Sequence, residues 1–244
     1  MFEPRTLITG FLAIFLAGLS YGLTGFGFAL VATPLLVLFL PPRQVMPLVL
    51  LLSVLTGCVV LYDARRYVQP RRIWLLTLAG LLGTPLGTWL LVACPLHVLK
   101  GLIGLVTIGA AVALLLGLSH PIADERLACP PIGFLSGLLN GSTGMSGPPV
   151  ILFFANQGVD KQICRANLTA YFMALNAFTV PSYLLAGLIT RPVLAYTGLF
   201  VPALALGVLA GIRLVPHVPD RPFRLLTLLI VLAAGVLSLA SGPR

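Results

Sequence analysis

Charge is what this chain has least of. Its 244 residues are 9% charged, whereas a soluble domain carries about 25%. That shortage excludes a soluble fold and leaves no charged face for nucleic acid. Histidine is scarce too: His97, His120 and His217 all sit in turns beside proline. Cys58, Cys94, Cys129 and Cys164 are far apart and form no CxxC, so they read as small apolar fillers near helix ends. No metal site and no cofactor follow from these residues. The six acids, Glu3, Asp63, Asp124, Glu125, Asp160 and Asp220, all fall in loops or near ends. A carboxylate embedded in the membrane, of the kind that couples carriers to protons or sodium, is therefore absent.

Apolar runs are abundant: 59% of residues are hydrophobic and mean hydropathy is +1.07. Long apolar runs separated by short basic loops predict an all-α polytopic membrane protein of about seven or eight spans. The net charge of +9 is then loop charge facing the cytoplasm. The N-terminal run from Leu7 has no obvious cleavage site and is expected to stay as a first segment. Spans are predicted over 45–61, 73–92, 101–118, 163–189, 193–215 and 225–240.

Two segments do not fit an ordinary span. The run 137–150 contains four glycines, two prolines, Asn140, Ser142, Thr143 and Ser146. The run 7–40 is interrupted by Ser20-Tyr21-Gly22-Leu23-Thr24-Gly25-Phe26-Gly27. Irregular backbone at membrane depth survives only where protein buries it or where it lines a wet cavity. The two breaks align: Gly18, Gly22, Thr24, Gly25 and Val31 match Gly137, Gly141, Thr143, Gly144 and Val150 at an offset of 119. Further on, Gly83, Gly87, Leu90 and Pro95 match Gly207, Gly211, Leu214 and Pro219 at an offset of 124. The chain thus divides into repeats 1–119 and 127–244, joined by a polar connector at 120–126.

Each repeat holds one broken segment and three spans. If the breaks are re-entrant hairpins, each half crosses three times and the second is inverted. One face then collects Arg65, Arg66, Arg71, Arg72, Arg126, Lys161, Arg165, Arg213, Arg221 and Arg224. The other receives Arg5, Arg43, Lys100, Arg191 and Arg244. Crossing breaks would split the bases almost evenly. Positive-inside logic favours inverted repeats, hairpins entering from opposite faces, and both termini outside. Recurrent small-xxx-small pairs, Gly18/Gly22, Gly83/Gly87, Gly133/Gly137 and Gly207/Gly211, predict close helix packing.

The breaks are where chemistry is expected. A second half-helix begins near Phe28 and near Pro148, with free N–H groups and a positive dipole end aimed at the break, which suits an anion. Hydroxyls and amides beside it add hydrogen bonds, and glycines permit close backbone approach. The candidate substrate-binding set is Tyr21, Thr24, Gly25, Gly27, Asn140, Ser142, Thr143, Gly144, Ser146, Gly147, Asn167 and Tyr171. Asn167, Tyr171 and Asn176 share one span, where interhelical bonding and substrate lining are both open. Arg165 and Arg213 lie at span ends, where snorkelling to the interface competes with anion binding. Gly144-Met145-Ser146-Gly147 also fits the Gly-x-Ser-Gly of intramembrane serine proteases, but that chemistry needs a mid-span histidine base, and no histidine lies mid-span. No catalytic residue is expected.

The stretches Gly18-Leu19-Ser20-Tyr21-Gly22-Leu23-Thr24-Gly25-Phe26-Gly27 and Gly137-Leu138-Leu139-Asn140-Gly141-Ser142-Thr143-Gly144-Met145-Ser146-Gly147-Pro148-Pro149 resemble the TauE/SafE sulfite exporter family, also called the toluene-sulfonate uptake permeases. The resemblance implies a bacterial inner-membrane permease for small sulfur-containing anions, sulfite or organosulfonates, and not an enzyme. It implies a small anionic substrate and a lipid bilayer as partners, and no nucleic acid; homo-oligomerisation stays open. Alternating access at a midplane site is the leading expectation, with a channel-like anion facilitator and a protease using Ser146 as alternatives.

Overall fold

A computed structural model describes residues 4–24, 27–116, 125–157 and 161–214. Among the described residues the regular structure is helical: α1 Pro4–Thr24, α2 Phe28–Val37, α3 Pro42–Ala64, α4 Pro70–Ala93, α5 Leu96–Leu115, α6 Glu125–Thr143, α7 Gly147–Asn156, α8 Lys161–Leu185 and α9 Arg191–Leu214, with a 3-10 turn at Arg65–Tyr67. The expected span over 225–240 and the 216–224 turn lie outside the described residues. Proline sets several starts. Pro42 and Pro70 occupy the first helical turn, where a missing N–H goes unneeded. The stop of α8 is a glycine: Gly187, at φ 68°, lets its own N–H reach Leu184 O and the Leu188 N–H reach Tyr183 O.

Among the described residues, five helices are long and apolar enough to cross a membrane: Pro42–Tyr62, Pro70–Ala93, Leu96–Ala113, Gln162–Leu185 and Arg191–Leu214. Large apolar side chains face outward along them, among them Leu82, Leu105, Leu185 and Leu206. In water such a surface would drive association; in lipid it is the solvent-facing surface. On α4 the exposed Trp74 and Trp89 stand 15 residues apart, about 22 Å along the axis, as two interfacial anchors would. This is a multi-pass membrane protein.

The halves are laced through each other. Helix α1 packs chiefly on α9, and α6 chiefly on α4. Glycine makes both approaches close. A side chain added at Gly137 would overlap the Gly80 carbonyl oxygen, and one at Gly87 the Leu138 carbonyl oxygen. On the other pair, Gly207 lies against the Phe15 carbonyl and Gly211 against Gly22. The pairs that sequence alignment matched, Gly22 with Gly141 and Gly211 with Gly87, therefore sit in matching contacts. Helices α3 and α8 meet in the middle and run antiparallel: Asn176 Nδ2 donates to Ser53 Oγ at 3.2 Å, while Met173 lies against Gly57.

Each broken segment folds back. Ser136 Oγ donates to the Ser146 carbonyl at 2.6 Å, although ten residues of continuous helix would separate the two by about 15 Å. In the first break, a Cβ placed on Gly27 would lie 3.8 Å from Ser20 Oγ. Helices α2 and α7 thus return alongside α1 and α6.

Candidate functional site

Both folded-back segments face one cavity of ≈ 60 Å³ between α3 and α8. Its wall has a regularity that the sequence alignment of the two halves brings out. At the constant offset of 119, Tyr21 pairs with Asn140, Gly27 with Ser146, Phe28 with Gly147 and Ala29 with Pro148; on the two central helices, Leu50 pairs with Thr169, Ser53 with Phe172 and Gly57 with Asn176. All fourteen residues line the cavity, and Leu30, Gly144, Met145, Ile151 and Met173 complete it. Equivalent positions of the two halves surround one space.

Helical periodicity explains why α3 and α8 contribute as they do. Residues 50, 53 and 57 fall on one face of α3, and 169, 172, 173 and 176 on one face of α8. The breaks contribute backbone. Gly144, at φ 70°, ends α6 with its N–H on Asn140 O at 3.1 Å. Gly27, at φ 90°, opens α2, and its carbonyl accepts from the Val31 N–H. Ser146 and Pro148 stand at the start of α7, where N–H groups lack intrahelical partners. The end of α6 is held by α8: Asn140 Nδ2 donates to Thr179 Oγ1 at 2.8 Å, and Tyr183 OH donates to Gly141 O at 2.7 Å.

The wall mixes small backbone-exposing residues, amides and hydroxyls with apolar side chains, and among the described residues no charged side chain lines it. Such a surface can hold a small polar solute by hydrogen bonds. In a whole-chain comparison the family model Sulfite exporter TauE/SafE matches residues 10–238. The chain belongs to that family. No curated protein and no solved structure matches it. TauE/SafE proteins are membrane transporters, so this member belongs to a transporter family and not to an enzyme family.

Within this TauE/SafE chain the candidate residues separate into groups. Tyr21, Gly27, Asn140, Gly144, Ser146 and Gly147 lie on the cavity wall. The Thr24 side chain and Gly25 lie outside the described residues. Ser142 and Thr143 are buried and turn their hydroxyls to the Leu138 and Leu139 carbonyls, one turn back on α6. Asn167 points to the opposite side of α8, where its Oδ1 accepts the Gln69 N–H at 2.7 Å. Tyr171 is fully buried against Gly80, with its OH 3.5 Å from the Gly133 carbonyl. Of Asn167, Tyr171 and Asn176, then, only Asn176, which also bonds Ser53, lines the cavity. His97 stands apart, in a surface pocket with Lys100 at the α4–α5 turn. His120 and His217 lie outside the described residues.

Sequence reading passed over Leu50, Ser53, Gly57, Thr169, Phe172 and Met173. The signal was available. Extending the offset of 119 beyond the breaks, and asking which residues of α3 and α8 repeat at helical spacing, marks the same stripes.

Proposed function

We propose that the chain is a permease for small sulfur-containing anions, sulfite or organosulfonates, working by alternating access at the cavity between the two breaks. The observation that carries this is the paired wall: one cavity lined by equivalent positions of both halves, where rocking of the halves would open it to one side and then the other. Repeats 1–119 and 127–244 would be inverted, joined by 120–126. The antiparallel crossing of their equivalent central helices, α3 and α8, supports that, as does the fold-back of both broken segments. Asn140, Ser146, Tyr21 and the glycines of the breaks would make up the substrate site, with Ser53, Thr169 and Asn176.

Volume favours the small end of the substrate class. A water needs about 10–15 Å³ of such space, so ≈ 60 Å³ holds roughly four to six waters. That suits the four heavy atoms of sulfite and is tight for an aromatic sulfonate. We place the protein in the bacterial inner membrane with the loop around Arg65 and Arg66 cytoplasmic, by the positive-inside rule.

Uptake of labelled sulfite into proteoliposomes tests the proposal. Saturable flux with counter-transport is expected, lost or strongly reduced in Asn140→Leu. Non-saturating flux without counter-transport would replace the carrier with a channel-like facilitator. No flux of sulfite or of any organosulfonate would end the reading.

A further inference from the structure

An uncharged cavity leaves open where an anion finds positive charge. The stripe that α8 presents to the cavity is Thr169, Phe172 and Asn176. One turn earlier on that stripe stands Arg165, whose carbonyl accepts from Thr169 Oγ1 at 2.8 Å. Tyr21, which lines the cavity, lies within the influence of the Arg165 charge and of the Thr169 side chain. Among the described residues, Arg165 Nε is buried without a hydrogen-bond partner. A buried donor without a partner is destabilising, more so in a charged group.

The matching stripe on α3 is Leu50, Ser53 and Gly57, and one turn earlier stands Met46. Met46 is fully buried, with its sulfur 3.6 Å from where a Cβ on Gly144 would be. Met46 and Arg165 are again 119 apart. Because α3 and α8 run antiparallel, the two residues stand at opposite ends of the cavity. Arg165 is at the end near the Arg65–Tyr67 turn, where Gln69 bonds Asn167. One end offers a guanidinium with an unpaired donor; the other offers a thioether.

We propose that Arg165 binds the anion at one mouth of the cavity, a charged docking position whose equivalent at the opposite end is the thioether of Met46. The inference rests on the permease reading and adds to it a binding residue and an inequality between the two ends. A planar guanidinium donating to an oxyanion forms a charge-assisted bond. Its loss should weaken binding roughly tenfold or more.

The test measures sulfite two ways: stabilisation of the detergent-solubilised protein against heat, and saturable flux in proteoliposomes at low and high chloride. Arg165→Gln should raise KM about tenfold while kcat changes far less, and should flatten the rise of KM with salt. Arg165→Lys should recover much of both. Sulfite should stabilise Arg165→Gln less than wild type. Wild-type flux with an unchanged KM and salt response in Arg165→Gln would overturn this inference and leave the permease standing. No flux but sulfite stabilisation that depends on Arg165 would keep the site and remove the permease. Neither flux nor stabilisation in wild type would remove both. Should Arg165→Gln fail to fold, Arg165→Lys and the wild-type salt response decide, and a wild-type KM indifferent to salt overturns the inference.

Discussion

The two breaks share a plan but differ in how they are held and in what they present. In the second, Ser136 ties the returning chain through the Ser146 carbonyl, and Tyr183 and Thr179 of α8 hold Gly141 and Asn140. It brings Asn140 and Ser146 to the cavity, where the first break brings Tyr21 and Gly27. The central helices lean the same way: at the offset of 119 Thr169 corresponds to Leu50 and Asn176 to Gly57, with Ser53 corresponding to Phe172 as the one reversal. The two breaks share a backbone arrangement, while most hydrogen-bonding groups on the cavity wall belong to the second half. A cavity can therefore be symmetric in shape and one-sided in chemistry.

The helix crossings give the largest test of that contrast. Around Gly137 the α4 backbone occupies the space a methyl would need, whereas at its equivalent, Gly18, the nearest atom to an added Cβ, Leu204 O, lies 3.0 Å away. Gly137→Ala should destabilise by about 3 kcal/mol or prevent folding, and Gly18→Ala by about 1 kcal/mol. Gly101, with nothing within 4 Å, should tolerate alanine or gain from it. Thermal unfolding in detergent checks the order. Equal losses at Gly18 and Gly137 would mean that the two crossings are equally tight.

The next test exchanges chemistry between the halves. Asn140→Leu removes a buried amide from the cavity and its bond to Thr179, which keeps its own bond to Leu175 O. Losing such a group is worth about 1–3 kcal/mol, or roughly ten- to a hundredfold in sulfite flux. Tyr21→Phe removes one hydroxyl from the first half and should lower flux only several-fold. If Tyr21→Phe were the more damaging, the polar side of the cavity would have been assigned to the wrong half.

Much of this was legible in the sequence, and the rest was hidden for physical reasons. Broken segments announce themselves because glycine, proline and hydroxyls are conspicuous between apolar runs, and the helices around them follow from hydropathy alone. The close crossings were foreseen from the spaced glycines. The direction of side chains was not. Ser142 and Thr143 look like ligands in sequence, yet a hydroxyl inside an apolar helix bonds the carbonyl four residues back when nothing nearer offers itself. Asn167 and Asn176 are nine residues apart, 900° of helical turn, which sets them on opposite faces; spacing could have separated them. Gly57 and Leu50 carry no polar signal, and only their partners at an offset of 119 give them away.

A smaller effect belongs to the tether of the second break. Ser136→Ala leaves the Ser146 carbonyl without its side-chain donor, at about 1–2 kcal/mol. The unfolding midpoint should fall, with sulfite KM rising modestly as Ser146 and Gly147 lose their fixed position. An unchanged KM with lower stability would confine Ser136 to a structural role.

The smallest effect separates backbone need from chemical need at one equivalent pair. Gly27 sits at φ 90°, in left-handed space, whereas its counterpart Ser146 sits at φ −71°, which any residue adopts. A Cβ on Gly27 has room, since Ser20 Oγ is 3.8 Å away, so the penalty for Gly27→Ala is conformational, about 1 kcal/mol. Stability should drop, and sulfite KM should rise less than in Ser146→Gly, because Gly27 lends the wall backbone alone. Ser146→Gly should do the reverse, sparing most of the stability while weakening sulfite binding through a lost hydroxyl at the cavity wall. If instead Gly27→Ala raises KM and Ser146→Gly does not, the first break supplies the binding surface and the second only its frame.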